Sequence, residues 1–151
     1  MIVPDLNLLV YAYNSSSPQH LEARDWWNSC LSGREPVGVA WLVALGFIRL
    51  WTSPRIFANP MTADLAVSHV ESWIERRVVR MLDPGPDHAK IVFRMIRESG
   101  NGGNLTMDAH LAALAVEHRG TIHTADTDFA RFSGLEFSNP LARVRKTKRR
   151  L

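Results

Sequence analysis

Cys30 is the only cysteine in 151 residues. One thiol excludes an internal disulfide and a zinc site built on cysteines, and a reducing cytoplasm suits such a chain. Cys30 itself reads as a small, half-buried apolar residue. Long apolar runs are also missing. Asp5 breaks the hydrophobic start, so no secretory signal is expected, and nothing approaches the ~20 apolar residues of a membrane span. No two of the six histidines are spaced His-x-x-x-His, which removes a helical two-histidine metal site. Gly100-Asn101-Gly102-Gly103-Asn104 is glycine-rich, but no Lys-Ser/Thr follows, so it reads as a loop rather than a phosphate cradle. Acids are absent from two stretches, Ala40 to Ser53 and the last nine residues, RVRKTKRRL.

Apolar residues make up 46% of the chain and charged residues 22%, enough to bury one core in a single domain. The pI of about 9.5 is a property of the end of the chain. Six of the 18 basic residues lie in residues 143–151, leaving 12 against 15 acids in the rest, a formal charge of −3. The tail is expected to be disordered in isolation. It is suited either to gripping a phosphate backbone without sequence preference or to solubility alone.

Patterning predicts a strand at Ile2–Pro4 and a helix at Leu6–Tyr13. A helix at His20–Leu31 presents Leu21, Trp26, Trp27 and Leu31, and a strand follows at Pro36–Val39. Ala40–Trp51 is too apolar for periodicity to type, and its length and composition favour a buried helix. Thr62–Arg76 reads as a helix with Leu65, Val70, Trp73 and Ile74 on one side. Then come a strand at Val78–Leu82, a helix at His88–Ser99 and a helix N-capped by Thr106 that runs to about His118, stopped by Gly120. Thr121–Thr124 is a strand, Thr127–Phe132 a short helix and Leu135–Phe137 a last strand. Helices alternating with four to five short strands indicate an α/β domain with a mainly parallel sheet. The five tryptophans are read as mainly core, with Trp51 the candidate for exposure. Arg49 either faces a phosphate or snorkels to the surface.

Acids recur at transitions between elements. Asp5 follows the first strand, Asp126 follows the strand at Thr121–Thr124, Asp128 is two residues further on, and Asp108 lies in the first turn of the helix opened by Thr106. In an open α/β sheet, ligands gather outside the carboxyl ends of the strands. Each acid taken singly is explained by helix capping or by the helix dipole. Brought to one rim, they would repel, and a hard cation such as Mg²⁺ or Mn²⁺ is the natural neutraliser. An aspartyl-phosphate chemistry with Asp5 as nucleophile would need a second acid at position 7, which is Asn7.

Four stretches carry a resemblance: IVPDLNLLVYA, FIRLWTSPRIF, GNLTMDAHLAALAVEHRG and TIHTADTDFARFSGLEFSNPL. In this order they resemble PIN-domain proteins, specifically VapC-type toxin ribonucleases of bacterial toxin–antitoxin pairs. The resemblance reaches Leu141, giving a PIN-like domain over residues 1–142 with the basic tail outside it. It implies a three-layer sandwich with a central, mainly parallel sheet flanked by helices. It also implies a cytoplasmic, metal-dependent endoribonuclease using Mg²⁺ or Mn²⁺. Asp5 and Asp108 would be the main metal ligands, Asp126 would complete the cluster, and Asp128 would be an outer candidate. Asn7 and Thr124 would orient carboxylates or waters. The implied partners are an RNA substrate, a small cognate antitoxin, and a second copy or a hetero-oligomer, docking on helical surfaces such as Leu21–Leu31 and Thr62–Ile74. Many members carry a glutamate in the helix after the second strand. Here Gly46 stands about where it would be, which keeps open the alternative of a catalytically weak or inactive module that binds RNA or a protein.

Overall fold

The computed structural model describes residues 1–100 and 102–142; the basic tail lies outside the described residues. The elements run β1 (Ile2–Pro4), α1 (Leu6–Tyr13), α2 (His20–Ser32), β2 (Val37–Ala40), α3 (Trp41–Trp51), α4 (Ala63–Ile74), β3 (Val79–Leu82), α5 (His88–Ser99), α6 (Leu105–Glu117), β4 (Thr121–His123), a 3-10 turn (Asp128–Arg131) and β5 (Phe137–Ser138). All strand pairings are parallel, and the order across the sheet is β3-β2-β1-β4-β5. The expected α/β architecture is therefore present, with a fully parallel sheet.

Parallel strands buried on both faces carry continuous apolar residues. Ile2, Val3, Val37, Val39, Ala40 and Ile122 are buried accordingly. The outer strands β3 and β5 are short and partly exposed, which blunts edge pairing. From β1 the chain steps outward to β2 and β3, then crosses back to place β4 on the other side of β1. Since such crossovers are right-handed, this reversal puts the intervening helices on opposite faces. Consistently, α1 packs on α2 and α3, and α3 on α4, while α5 packs on α6. The switch point of the sheet falls between β1 and β4.

An aromatic cluster joins the first helical layer. The Trp73 indole N–H donates to the Tyr13 hydroxyl at 2.7 Å, and Trp73 meets Phe47 and Trp27 edge-on. On the other side, Gly120 lets the chain enter β4 beside β1, because a Cβ there would lie 2.6 Å from Val3 Cγ2. Among the described residues no helix is long and apolar enough to cross a membrane.

Several expectations need correction. Helix α6 starts at Leu105, where Leu105 and Thr106 N–H groups donate to Gly102 and Gly103 carbonyls, so Thr106 is inside the helix and does not cap it. Its end is turned by Arg119 at φ 54°, ahead of Gly120. Leu21, Leu65 and Ile74 are exposed; the buried stripes are Ala23, Trp27 and Cys30 on α2 and Ala66, Val70 and Trp73 on α4. Trp51 is buried and stacked on Phe57 at 3.9 Å, while Trp41 at the other end of α3 is the exposed tryptophan. Arg49 is exposed on α3.

Candidate active site

Asp5 caps α1, its Oδ1 accepting the Leu6 N–H at 2.7 Å. Its own N–H donates to the His123 carbonyl, which ties the end of β1 to β4. Immediately after β4, Thr124 is almost fully buried at 1% exposure and makes three hydrogen bonds. Its hydroxyl accepts from the Asn7 side-chain amide at 3.2 Å and from the Asp126 N–H at 2.9 Å. Both neighbours can only donate, so the single hydroxyl proton goes to Asp5 Oδ2, 2.7 Å away. Asn7 Oδ1 in turn accepts from Ala125 N–H at 3.4 Å. Asp126 Oδ1 accepts from the Asp128 N–H at 2.8 Å, folding the TADTD stretch into an Asx turn. Asp128 reaches outward toward Arg131, 3.7 Å away.

The sheet topology thus brings Asp5, Asp126 and Asp128 to the carboxyl rim at its switch point, and α6 delivers Asp108 from its first turn. Their electrostatics show the proximity. Burial, with repulsion from Asp5, Asp126 and Asp128, pushes the Asp108 carboxyl up to about 6. Burial also raises the Asp5 carboxyl; the bonds from Thr124 and Leu6 oppose this, and Asp126 adds to it. Carboxyl groups gathered closely enough to raise Asp5 and Asp108 favour a cation among them.

The donor chemistry suits a hard divalent ion, all oxygen and all carboxylate. Among the described residues, however, no three His, Cys, Asp or Glu side chains form a ready-made cage. Both Asp5 oxygens and one Asp126 oxygen are aimed at local donors. That arrangement fits the manner of Mg²⁺, held by one or two carboxylates with water completing the shell.

The acid-free helix α3 leaves β2 beside this rim. Counting from the Ile2–Val37 register, Asp5 leaves the sheet level with Ala40, and exposed Trp41 follows. Gly46 faces α1: a Cβ there would lie 2.8 Å from Leu6 Cδ2. The helix packs closely here against the first turn that Asp5 caps.

Two polar links escaped sequence reasoning. The Trp26 indole N–H donates to His123 Nδ1 at 3.1 Å, so this histidine is held neutral at that nitrogen, and burial lowers its pKa. His110 is bound through Nδ1 to His88 Nε2 at 2.9 Å, and His88 Nδ1 contacts Glu117 Oε2 at 3.0 Å. Burial, then the neighbouring His88, lowers the His110 pKa. Only the i, i+7 spacing of His110 and Glu117 on one helix hinted at this.

Comparison with known proteins agrees with the geometry. Ribonuclease VapC37 of Mycobacterium tuberculosis is 41% identical over 142 residues, covering 94% of this chain and 99% of the relative. Ribonuclease VapC33 of the same species is 38% identical over 141 residues, covering 93% and 99%. Among solved structures, VapBC-1 from nontypeable Haemophilus influenzae superposes with a TM-score of 0.67 at 16% identity, covering 94% of this chain and 100% of the other. The model of the PIN domain matches residues 2–135, a span that takes in Asp5 and all three acids that meet it at the rim, and the chain belongs to the PIN-domain family.

Proposed function

We propose that the chain is an Mg²⁺- or Mn²⁺-dependent endoribonuclease, the toxin of a toxin–antitoxin pair, working through Asp5, Asp108 and Asp126. The observation that carries this reading is the convergence of carboxylates from three separate segments, close enough to hold Asp108 near pKa 6. The ribonuclease names of the two relatives support RNA as the substrate, and the VapBC make-up of the structural neighbour supports a protein partner.

Asp5 and Asp108 hold the ion, Asp126 completes its surroundings directly or through water, and Asp128 stands at the outer edge. The bound ion supplies a lowered water pKa and positive charge at the phosphodiester. Thr124 fixes the Asp5 carboxylate, and Asn7 fixes Thr124, so the carboxylate is oriented before substrate arrives. Asp108 and Asp126 accept hydrogen bonds from water at the rim.

The test is cleavage of RNA by purified full-length protein in Mg²⁺ or Mn²⁺, with 5′ ends mapped, against Asp5→Asn and Asp108→Asn. Both variants lose cleavage, and chelation silences the wild type. Full activity in either variant would remove these residues from the mechanism. Gly46, packed on Leu6 where many family members have an acid, favours a second reading as a non-catalytic RNA- or protein-binding module. Metal-dependent cleavage that disappears in Asp5→Asn excludes it.

A further inference from the structure

A groove of about 680 Å³ lies at the opposite rim of the sheet, where strands begin. Four of its lining residues are arginines: Arg34 after α2, Arg76 and Arg77 after α4, and Arg80 on β3. All four are exposed, and among the described residues none forms an ion pair. Glu75 also lines the groove. Glu35, next to Arg34, is drawn instead to the Met1 amino group at 3.3 Å.

Helix ends account for part of this charge. Helices α2 and α4 both terminate here, each presenting roughly half a negative charge. With Glu75 that makes about two negative charges against four guanidinium groups, so about two positive charges remain uncompensated. The four arginines are a third of the 12 basic residues outside the tail, in a body that is formally negative. Gathered at one groove, they raise the local positive potential and favour an anion there.

The lining includes no aromatic ring and no carboxamide, so it offers a base no aromatic platform and no bidentate amide. Guanidinium forks do match phosphate oxygens. Strand β2 spans only about 13 Å from this rim to the acidic one, a gap that a few nucleotides of single strand bridge. We propose that the groove is a second RNA contact, gripping substrate phosphates away from the bond being cleaved. The proposal rests on RNA being the substrate.

The test uses full-length Asp5→Asn protein, which binds without cutting, and a fluorescein-labelled single-stranded RNA of 30 nucleotides. Adding Arg34→Gln and Arg77→Gln is expected to weaken binding roughly tenfold at 0.1 M salt and to make the log K against log salt slope shallower by about 1.4. Arg24→Gln with Arg94→Gln, the matched control elsewhere on the surface, leaves the slope within about 0.3 of its starting value. Equal losses in the two pairs, or no loss in the groove pair, would overturn the proposal. So would displacement of the RNA by micromolar ATP, which would assign the groove to a free nucleotide. Binding is read separately from cleavage, so a chain that binds here but never cuts RNA would sink the nuclease reading and leave the groove standing.

Discussion

The Thr124 hydroxyl gives its only proton to Asp5 while accepting from Asn7 and Asp126, so one buried side chain joins the ends of β1 and β4 to the acid cluster. Thr124→Val keeps the shape and removes all three bonds. The buried donors left behind cost about 2–3 kcal/mol of stability. Asp5 also loses a bond that holds its carboxyl down, so its pKa climbs further. The acid limb of the cleavage–pH profile should move to higher pH in Thr124→Val, whereas Thr124→Ser, which keeps the hydroxyl, should restore it. An unmoved limb would show that Thr124 does not position Asp5.

Asp108 sets a pH dependence of stability in metal-free protein. Its carboxyl is raised from 3.8 to about 6 by burial and by three neighbouring acids, so the folded state binds its proton more tightly than the unfolded state. Stability from this group is therefore greatest below pH 3.8 and is lost as pH rises to about 6. Discounted for a half-exposed group, the loss is about 1 kcal/mol. Asp108→Asn should accordingly raise the metal-free melting temperature at pH 7 by about 2–4 °C while abolishing cleavage. Added Mg²⁺ should stabilise the wild type and leave the variant unchanged, a comparison made by thermal melts with and without chelator.

The parts of this molecule that sequence makes legible are those decided locally. Acids stand out because Asp5 and Asp126 follow strands and Asp108 lies in the first turn of a helix, and the strand pattern then places them at one rim. Helix α3 is legible from length and composition, but an all-apolar helix does not show which end the fold will cover, and Trp41 and Trp51 exchanged their expected places. Leu21, Leu65 and Ile74 follow the 3.6-residue period, yet the period does not say how wide a stripe the neighbouring helices cover. Thr106 looks like a cap by residue type. The Gly102-Gly103 turn starts α6 two residues earlier and removes that role. The link of His88 to Glu117 crosses 29 residues and two helices, a distance at which no local rule operates.

Gly46 is a position on α3 with no room for an acid. Any side chain there begins by displacing Leu6, whose Cδ2 would be 2.8 Å from the new Cβ. Overpacking of this kind costs about 1–3 kcal/mol, and the better helix propensity of a non-glycine residue returns somewhat under 1 kcal/mol. Gly46→Glu should lower the metal-free melting temperature by a few degrees. Leu6→Ala should relieve the clash, so the double variant should be more stable than the two single losses add up to. Strict additivity in a double-mutant cycle would mean the two residues do not compete for the same space.

Glu117 holds α6 to the loop that leads into α5. Its Oε2 accepts from the Gly85 N–H at 3.0 Å and from His88 Nδ1 at 3.0 Å, while Oε1 is buried with no partner among the described residues. In the tautomer with His88 Nδ1 donating to the carboxylate, Nε2 accepts and the proton between the two rings belongs to His110 Nδ1. Glu117→Ala removes the acceptor for two donors at once and should cost about 2–4 kcal/mol. Glu117→Gln keeps one oxygen for Gly85 and His88 but places an unpartnered amide where Oε1 was buried, so it should fall between wild type and Glu117→Ala. Denaturant melts order the three proteins. Amide exchange at Gly85 should rise in Glu117→Ala ahead of global unfolding, because the bond lost is the one that anchors this N–H to α6.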